Sequence, residues 1–458
     1  MLLKKLLPVE KGFIPYLISL ALPIVIESAL YVAVDVTDII MIGRYSAEVG
    51  IAAISLAGTI FFGGIMLIFG FSSAAGVFLS RAWGAKNYTE LRATFGLTVA
   101  VVLILSLLAA VAVYIYAVPI ITLMAGEEGE LQVITYAVQY LRIAALSLPF
   151  IAFSIMVSGF FRSVEKSHYP MWIAAACIPI NIFLNWVFIF GNLGLPAMGV
   201  AGAAIAYLAV RVLDAILNLL LLLSRKNPIS GFNSEYFKFL AERNVAMVGR
   251  YLKVALPLAA SDMVWVLALI AYRAAFARAG TEVVAAFAAI SSLMQIFFVA
   301  FFGVGTACSI ILGKTIGEND IRKVKHLSKV FIRLNFIMGI PLGLIMLATV
   351  PFMPAIFSLS GNAAAYMVHA AIITGILFGF RSFEYMMAVG ILRAGGDVKW
   401  LLIIQALTMW LLGVPVLFLM VFLGMPPFVL YLIVVGEEIV RCFFYMLRYR
   451  TGRWIKQV

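Results

Sequence analysis

Residues 99–123 read VAVVLILSLLAAVAVYIYAVPIITL, twenty-five residues without a single charge. At 1.5 Å per residue a helix of that length reaches roughly 37 Å, enough to cross the ~30 Å hydrocarbon core of a bilayer. A barrel strand would alternate apolar and polar residues over about ten positions, and a soluble helix would keep one polar face. This stretch does neither, and Ile340 to Phe357 repeats the pattern. It is a membrane-spanning helix.

The rest of the chain follows suit. Its 458 residues are 64% hydrophobic and 12% charged, with a mean hydropathy of +1.10. A soluble domain averages about half apolar and about a quarter charged, so a soluble globule is excluded. Apolar runs recur from end to end with short polar breaks, which excludes a single anchor on a soluble domain. The runs lie at 13–42, 50–80, 93–123, 131–162, 167–191, 197–224, 251–279, 283–313, 329–357, 363–392, 398–423 and 425–448. The expected fold class is therefore all-α and polytopic, with twelve transmembrane helices.

Charge sets the expected orientation. Counted by alternate segments, 26 Lys and Arg lie on the side of the amino terminus and 2, Arg44 and Arg278, on the other; five, Arg142, Arg211, Arg273, Arg381 and Arg441, lie within or at the edges of spans. The positive-inside rule then puts both termini in the cytoplasm of a cell whose cytoplasmic membrane carries the protein. A net charge of +12 can also signal nucleic-acid binding, but these bases form no stripe interleaved with aromatics, so no nucleic-acid partner is expected. Cys177, Cys308 and Cys442 fall inside apolar spans and suggest packing rather than disulfides. The segment Met1 to Lys11 lacks the pattern of a cleaved leader, so the amino terminus is expected to be retained.

The polar interruption Arg225 to Lys253 separates two similar halves. Ala21-Leu22-Pro23 is answered by Ala255-Leu256-Pro257, and Ala53-Ile54-Ser55 by Ala289-Ile290-Ser291, at an offset near 234. Gly70, Ala74, Arg81 and Gly84 match Gly303, Ala307, Lys314 and Gly317; Gly159 and Arg162 match Gly390 and Arg393; Arg211 matches Arg441. The expected domains are an amino-terminal six-helix bundle over 1–224, a cytoplasmic linker over 225–250 and a carboxy-terminal bundle over 251–458. Six spans per half give parallel repeats about an axis along the membrane normal, an arrangement that carries substrate by rocking.

Charges inside spans cost about 2.5–3.5 kcal/mol each on insertion scales, so each needs a partner or a task. The first span holds Glu27, Asp35 and Asp38 within an arc of about 80° and no base. Three acids on one face suit a reversible proton carrier, and their oxygens equally suit Na⁺; capping or solvation near a span end is the plainer use. Arg211 with Asp214, Arg381 with Glu384, and Glu437 with Arg441 have the spacing of intrahelical ion pairs. Asp262 has no partner within a turn. Asn181 and Asn185 put two amides on one face of the fifth span, as packing glue or as ligands. Pro149, Pro179, Pro257 and Pro415 are expected to bend helices. Phosphate-loop and zinc-helix motifs are absent, and the histidines, His168, His326 and His369, are scattered. No enzyme activity, cofactor or resident metal is expected, and an ion gradient is the natural energy source. The abundant Phe, Tyr and Met would furnish an adaptable apolar cavity.

These residues resemble the multidrug and toxic compound extrusion (MATE) family over nearly the whole chain. The resemblance lies in the two Ala-Leu-Pro openings, Val36 to Gly43, Gly70 to Gly84 running into Lys86, Gly159-Phe160-Phe161-Arg162, Asn181 with Asn185, Gly199 to Ala204, and Gly390 to Asp397. It implies two pseudo-symmetric six-helix bundles, an outward-opening V, and antiport of cationic or amphipathic compounds against H⁺ or Na⁺. Asp38 looks like the family's functional acid and Asn181 like its partner. Where many prokaryotic members have an acid four residues later, this chain has Asn185, which can ligate Na⁺ but cannot take a proton. Asp262 and Glu384 are loose counterparts of acids used by some members. The candidate ion-coupling and substrate residues are thus Asp38, Asn181, Asn185, Glu27 and Asp35, followed by Asp262, Glu384, Arg381 and Arg273. The expected partners are small organic cations or amphipathic drugs and the lipid bilayer, with the chain a monomer. A flippase for lipid-linked sugars is the alternative, although only Arg273 and Arg381 are available to meet a pyrophosphate; an intramembrane enzyme would need a nucleophile and base that do not appear.

Overall fold

The computed structural model describes residues 10–125, 130–224, 245–357 and 359–456, and among these there is no strand. Lipid offers backbone groups no partners, so apolar segments close their hydrogen bonds internally as helices. A helical run Phe13–Gly84 carries two candidate spans, α1 (Phe13–Ser46) and α2 (Glu48–Gly84). There follow α3 (Tyr88–Ala125), α4 (Leu131–Ala145), α5 (Leu148–Ser163), α6 (His168–Phe190) and α7 (Gly199–Leu223). The second half comprises α8 (Val245–Ala279), α9 (Thr281–Gly317), α10 (Ile321–Thr349), α11 (Gly361–Tyr385), α12 (Val398–Leu407), α13 (Val414–Phe422) and α14 (Pro427–Arg450). π-Helical turns at Met386–Leu392 and Thr408–Gly413 extend α11 and join α12 to α13.

Among the described residues ten helices are long and apolar enough to cross a membrane, and α4 with α5, bent by 49°, makes an eleventh if the pair is one span. The bend lies just before Pro149, as expected of a proline that cannot continue a helical ladder. Helix α14 is long enough as well, but Glu437, Glu438 and Arg441 stand in its middle and set it apart from the apolar ten. The protein is a polytopic all-α membrane protein. The segment 225–250 read as a linker lies, through position 244, outside the described residues.

By internal packing the chain forms two compact units, Ile26–Ala259 and Met1–Val25 with Ala260–Val458. Both boundaries fall inside helices, two residues past the proline of each Ala-Leu-Pro motif. Within the first unit Gly70 lies against Ala259, whose Cα would be 2.5 Å from a Cβ at that position. Within the second, Gly303 lies against Val25, whose Cγ2 would be 2.3 Å away. The two glycines were paired by the sequence repeat, and they do the same job: Gly70 lets α2 touch α8 at Ala259 and Gly303 lets α9 touch α1 at Val25, both inside those helices.

The turns repeat too. Lys86 and Asn319 both adopt left-handed φ, 55° and 60°. One residue later Asn87 Oδ1 accepts from Glu90 N at 3.1 Å, and Asp320 Oδ1 accepts from Lys323 N at 2.9 Å, capping α3 and α10. The second unit has a continuous core in which Leu17, Leu20 and Ile24 of α1 pack among Phe331, Met387, Ile391 and Tyr445.

Candidate functional site

Close packing of α6 on α7 fixes one wall of the site. A Cβ on Gly202 would stand 2.4 Å from the carbonyl oxygen of Phe188, so only glycine admits this approach. Beside it the unit Ile26–Ala259 holds a half-open cavity of about 430 Å³. Tyr31, Phe61, Phe62, Tyr140 and Tyr207 with several isoleucines make most of its wall, and Glu27, Asp38, Asp214, Arg162 and Arg211 are its charged members among the described residues.

Asp38 is 6% exposed, and Asn181 and Asn185 are wholly buried. Asn185 Nδ2 donates to Asp38 Oδ1 at 2.5 Å and to Asn181 Oδ1 at 3.2 Å. The fourth-residue spacing of the asparagines puts both amides on the face of α6 that meets α1. Asn181 Nδ2 and Asn185 Oδ1 find no partner among the described residues. In this arrangement an amide N–H lies between two oxygens. Turning the Asn185 amide over would offer three oxygens to one point, which is a donor set for a hard monovalent cation. Protonation of Asp38 would serve equally, since the neutral acid still accepts from Asn185.

The other predicted residues fall into place differently. Glu27 is 1% exposed, and its Oε1 accepts from Arg162 Nη2 at 2.7 Å. The sequence reading found no base on the first helix; the base comes from α5. Asp35 is helical, but its side chain lies outside the described ones. Asp262, expected without a nearby partner, pairs with Arg393 at 3.0 Å. This pair and Glu27–Arg162 occupy matching places in the repeat, each joining the first acid after a unit boundary to the arginine of the Gly-x-x-Arg motif.

The expected Arg381–Glu384 pair is replaced by crossed pairs. Arg381 binds Glu438 at 2.8 Å and Tyr431 at 3.2 Å, and Arg441 binds Glu384 at 3.1 Å. The cause is geometric: α14 packs along α11 and presents Glu438 and Arg441 closer than the local i,i+3 neighbour. Glu437–Arg441 forms as its spacing implied, at 2.6 Å. Arg273 is exposed. Arg211 lies over the rings of Tyr31 and Tyr207, 5.1 and 4.7 Å from their centroids, whereas Asp214 accepts from Asn218 Nδ2 at 3.1 Å. Sequence reasoning missed Arg162, Tyr31 and Asp214 as cavity residues. The signals available were the recurrence of Arg162 as Arg393 and the charge of Asp214 inside a span, which was read only as the ion-pair partner of Arg211. No group of three or more His, Cys, Asp or Glu side chains placed to hold a metal ion occurs among the described residues.

Comparison with known proteins agrees with the architecture. The MatE family model matches residues 23–187 and 257–419, which opens each match on the proline of an Ala-Leu-Pro motif. The chain is 25% identical over 404 residues to the probable multidrug resistance protein YoeA of Bacillus subtilis, covering 87% of this chain and 85% of that one. It is 24% identical to the probable multidrug resistance protein NorM of Listeria innocua, covering 89% and 87%. It shares its fold with the outward-facing structure of a multidrug resistance MATE family transporter of the MOP superfamily, with a TM-score of 0.84, 20% identity and 96% of each chain covered. A repeated helical membrane fold, a family model matched across both halves and a buried acid on the first helix lead to one assignment: the chain belongs to the MatE family, which comprises transporters and not enzymes.

Proposed function

We propose that this protein is a secondary active multidrug efflux antiporter, exporting cationic or amphipathic organic compounds in exchange for H⁺ or Na⁺ by alternating access. It acts in the cytoplasmic membrane as a monomer with both termini in the cytoplasm, and α14 is its twelfth span. The observation that carries the reading is the buried carboxylate of Asp38 on the wall of an aromatic- and isoleucine-lined cavity, where it accepts from Asn185, whose amide also donates to Asn181. A bare carboxylate there attracts a positive charge; a proton or Na⁺ cancels it. The names of the relatives, probable multidrug resistance proteins, support the same class of cargo.

Ion loading changes which packing of α1 is favoured. Bare Asp38 needs the donor of Asn185, whereas a Na⁺-loaded site needs its carbonyl oxygen, so the two states differ by a side-chain reversal at the α1–α6 contact. A ligand shifts a conformational equilibrium only through such a difference. The decisive experiment reconstitutes the purified protein in vesicles and imposes a Na⁺ or a pH gradient. One of the two is expected to drive uptake of a cationic dye against its concentration gradient. Failure of both, or scrambling of lipid-linked sugar in their absence, would overturn the proposal.

A further inference from the structure

The cavity holds a second set of acids that the ion site does not use. Glu27 stands eleven residues before Asp38, about 16 Å along α1 at 1.5 Å per residue. Its Oε1 is committed to Arg162, but its Oε2 is buried with no partner among the described residues. Asp214 on α7 has the same form: Oδ1 accepts from Asn218, and Oδ2 is buried with no partner within hydrogen-bond distance among the described residues, although the Ser154 hydroxyl stands beside this carboxylate as that of Ser158 does beside Glu27. Both side chains line the cavity, and the two residues are 1% and 2% exposed. They belong to one electrostatic cluster, since Tyr31, one turn beyond Glu27, has Glu27, Asp214, Arg162 and Arg211 as its charged neighbours.

A buried carboxylate oxygen without a donor is costly, and an occupant that donates a hydrogen bond or carries positive charge removes the cost. The resident bases already have places, Arg162 on Glu27 and Arg211 over the rings of Tyr31 and Tyr207. Those same rings show that this end of the cavity accepts a flat, delocalised cation against aromatic faces.

We propose that Glu27 and Asp214 form the subsite for the positive charge of the exported compound, an amine or quaternary nitrogen carried on a flat aromatic body. The proposal rests on the efflux reading above and adds that cargo and coupling ion occupy separate carboxylates. The ion at Asp38 and the cargo at Asp214 then oppose one another through charge across the cavity rather than by exclusion from the same atoms.

The test is equilibrium binding of ethidium to the purified full-length protein. Asp214→Asn is expected to weaken binding at least tenfold and Asp214→Glu less than threefold. Glu318→Gln, at an exposed acid that does not line the cavity, should leave binding within threefold of wild type, and Asp38→Asn should remove the sensitivity of binding to the coupling ion. Retention of ethidium within threefold of wild type by Asp214→Asn overturns the proposal. Photolabelling of the wild-type protein with ethidium monoazide needs no variant: adducts are expected on 199–223 or around Glu27, and adducts confined to the vicinity of Asp38 and 181–185 also overturn it. Normal binding behaviour without gradient-driven transport would count against the efflux reading alone. Absence of any ethidium binding by the wild type would count against both.

Discussion

Arg162 and Glu27 show what a single buried pair implies. Removing one partner of such a pair leaves an uncompensated buried charge, which typically costs about 3–5 kcal/mol. Arg162→Ala should therefore sharply lower the thermal stability of the purified protein. Adding Glu27→Gln to that variant should recover a good part of the loss, because the stranded charge is gone. Equal destabilisation in the single and the double variant would mean that the arginine contributes packing rather than charge compensation. Glu384→Gln should be milder than Glu437→Gln, since Arg441 keeps two bonds of 2.6 Å to Glu437 when Glu384 is neutralised. A thermal-shift comparison of the two variants checks the order.

At this scale the sequence was informative where chemistry repeats along one helix. The acids of the first span and the paired asparagines are visible because they share a face at helical spacing. The partners were not visible. Glu27–Arg162, Asp262–Arg393 and the crossed pairs of Arg381 and Arg441 span 131 to 135 or 57 residues of chain, and such contacts depend on which helix packs beside which. Local spacing found Glu437–Arg441 because that pair lies within one helix; it assigned Arg381 to Glu384 because it could not see α14.

At the scale of elements, the two halves are built by the same devices. Gly70 and Gly303 each admit a close helix contact, and the Asn87 and Asp320 caps follow residues of left-handed φ. A leucine at Gly303 would meet Val25 and the carbonyl oxygen of Ala21, and one at Gly70 would meet backbone atoms of Ala259. Overpacking of this kind typically costs about 1–3 kcal/mol. Each substitution should lower the melting temperature, and Gly70→Leu should do so at least as strongly because its nearest obstacle is the backbone Cα of Ala259, whereas the nearest at Gly303 is the side chain of Val25. Undiminished stability in both would show that the helices separate freely at these points. The repeat was legible as matched residues at a near-constant offset; that the boundaries of the packed units fall inside α1 and α8 was not, because nothing in local composition changes at Val25 or Ala259.

At the scale of the molecule, the fold class followed from hydropathy alone, and the count of twelve depends on α14, read from the sequence as the span 425–448. Glu437, Glu438 and Arg441 make it more charged than the ten apolar helices, although their ion pairs form within the protein. The proposed orientation is checked by cysteine labelling, for which Cys177, Cys308 and Cys442 are buried and silent. Glu130→Cys should react with an impermeant thiol reagent from outside intact cells and Glu318→Cys should not; the reverse labelling would invert the direction of transport.

The central claim is that Asp38 carries the ion whose movement drives export. The direct measurement is dye transport in vesicles containing Asp38→Asn, driven by the gradient that drives the wild type. The substitution keeps the shape of the side chain and removes its charge, and it lowers the insertion cost, so expression should stay near normal. Gradient-driven transport is predicted to vanish. Transport at the wild-type rate in those vesicles would contradict the account.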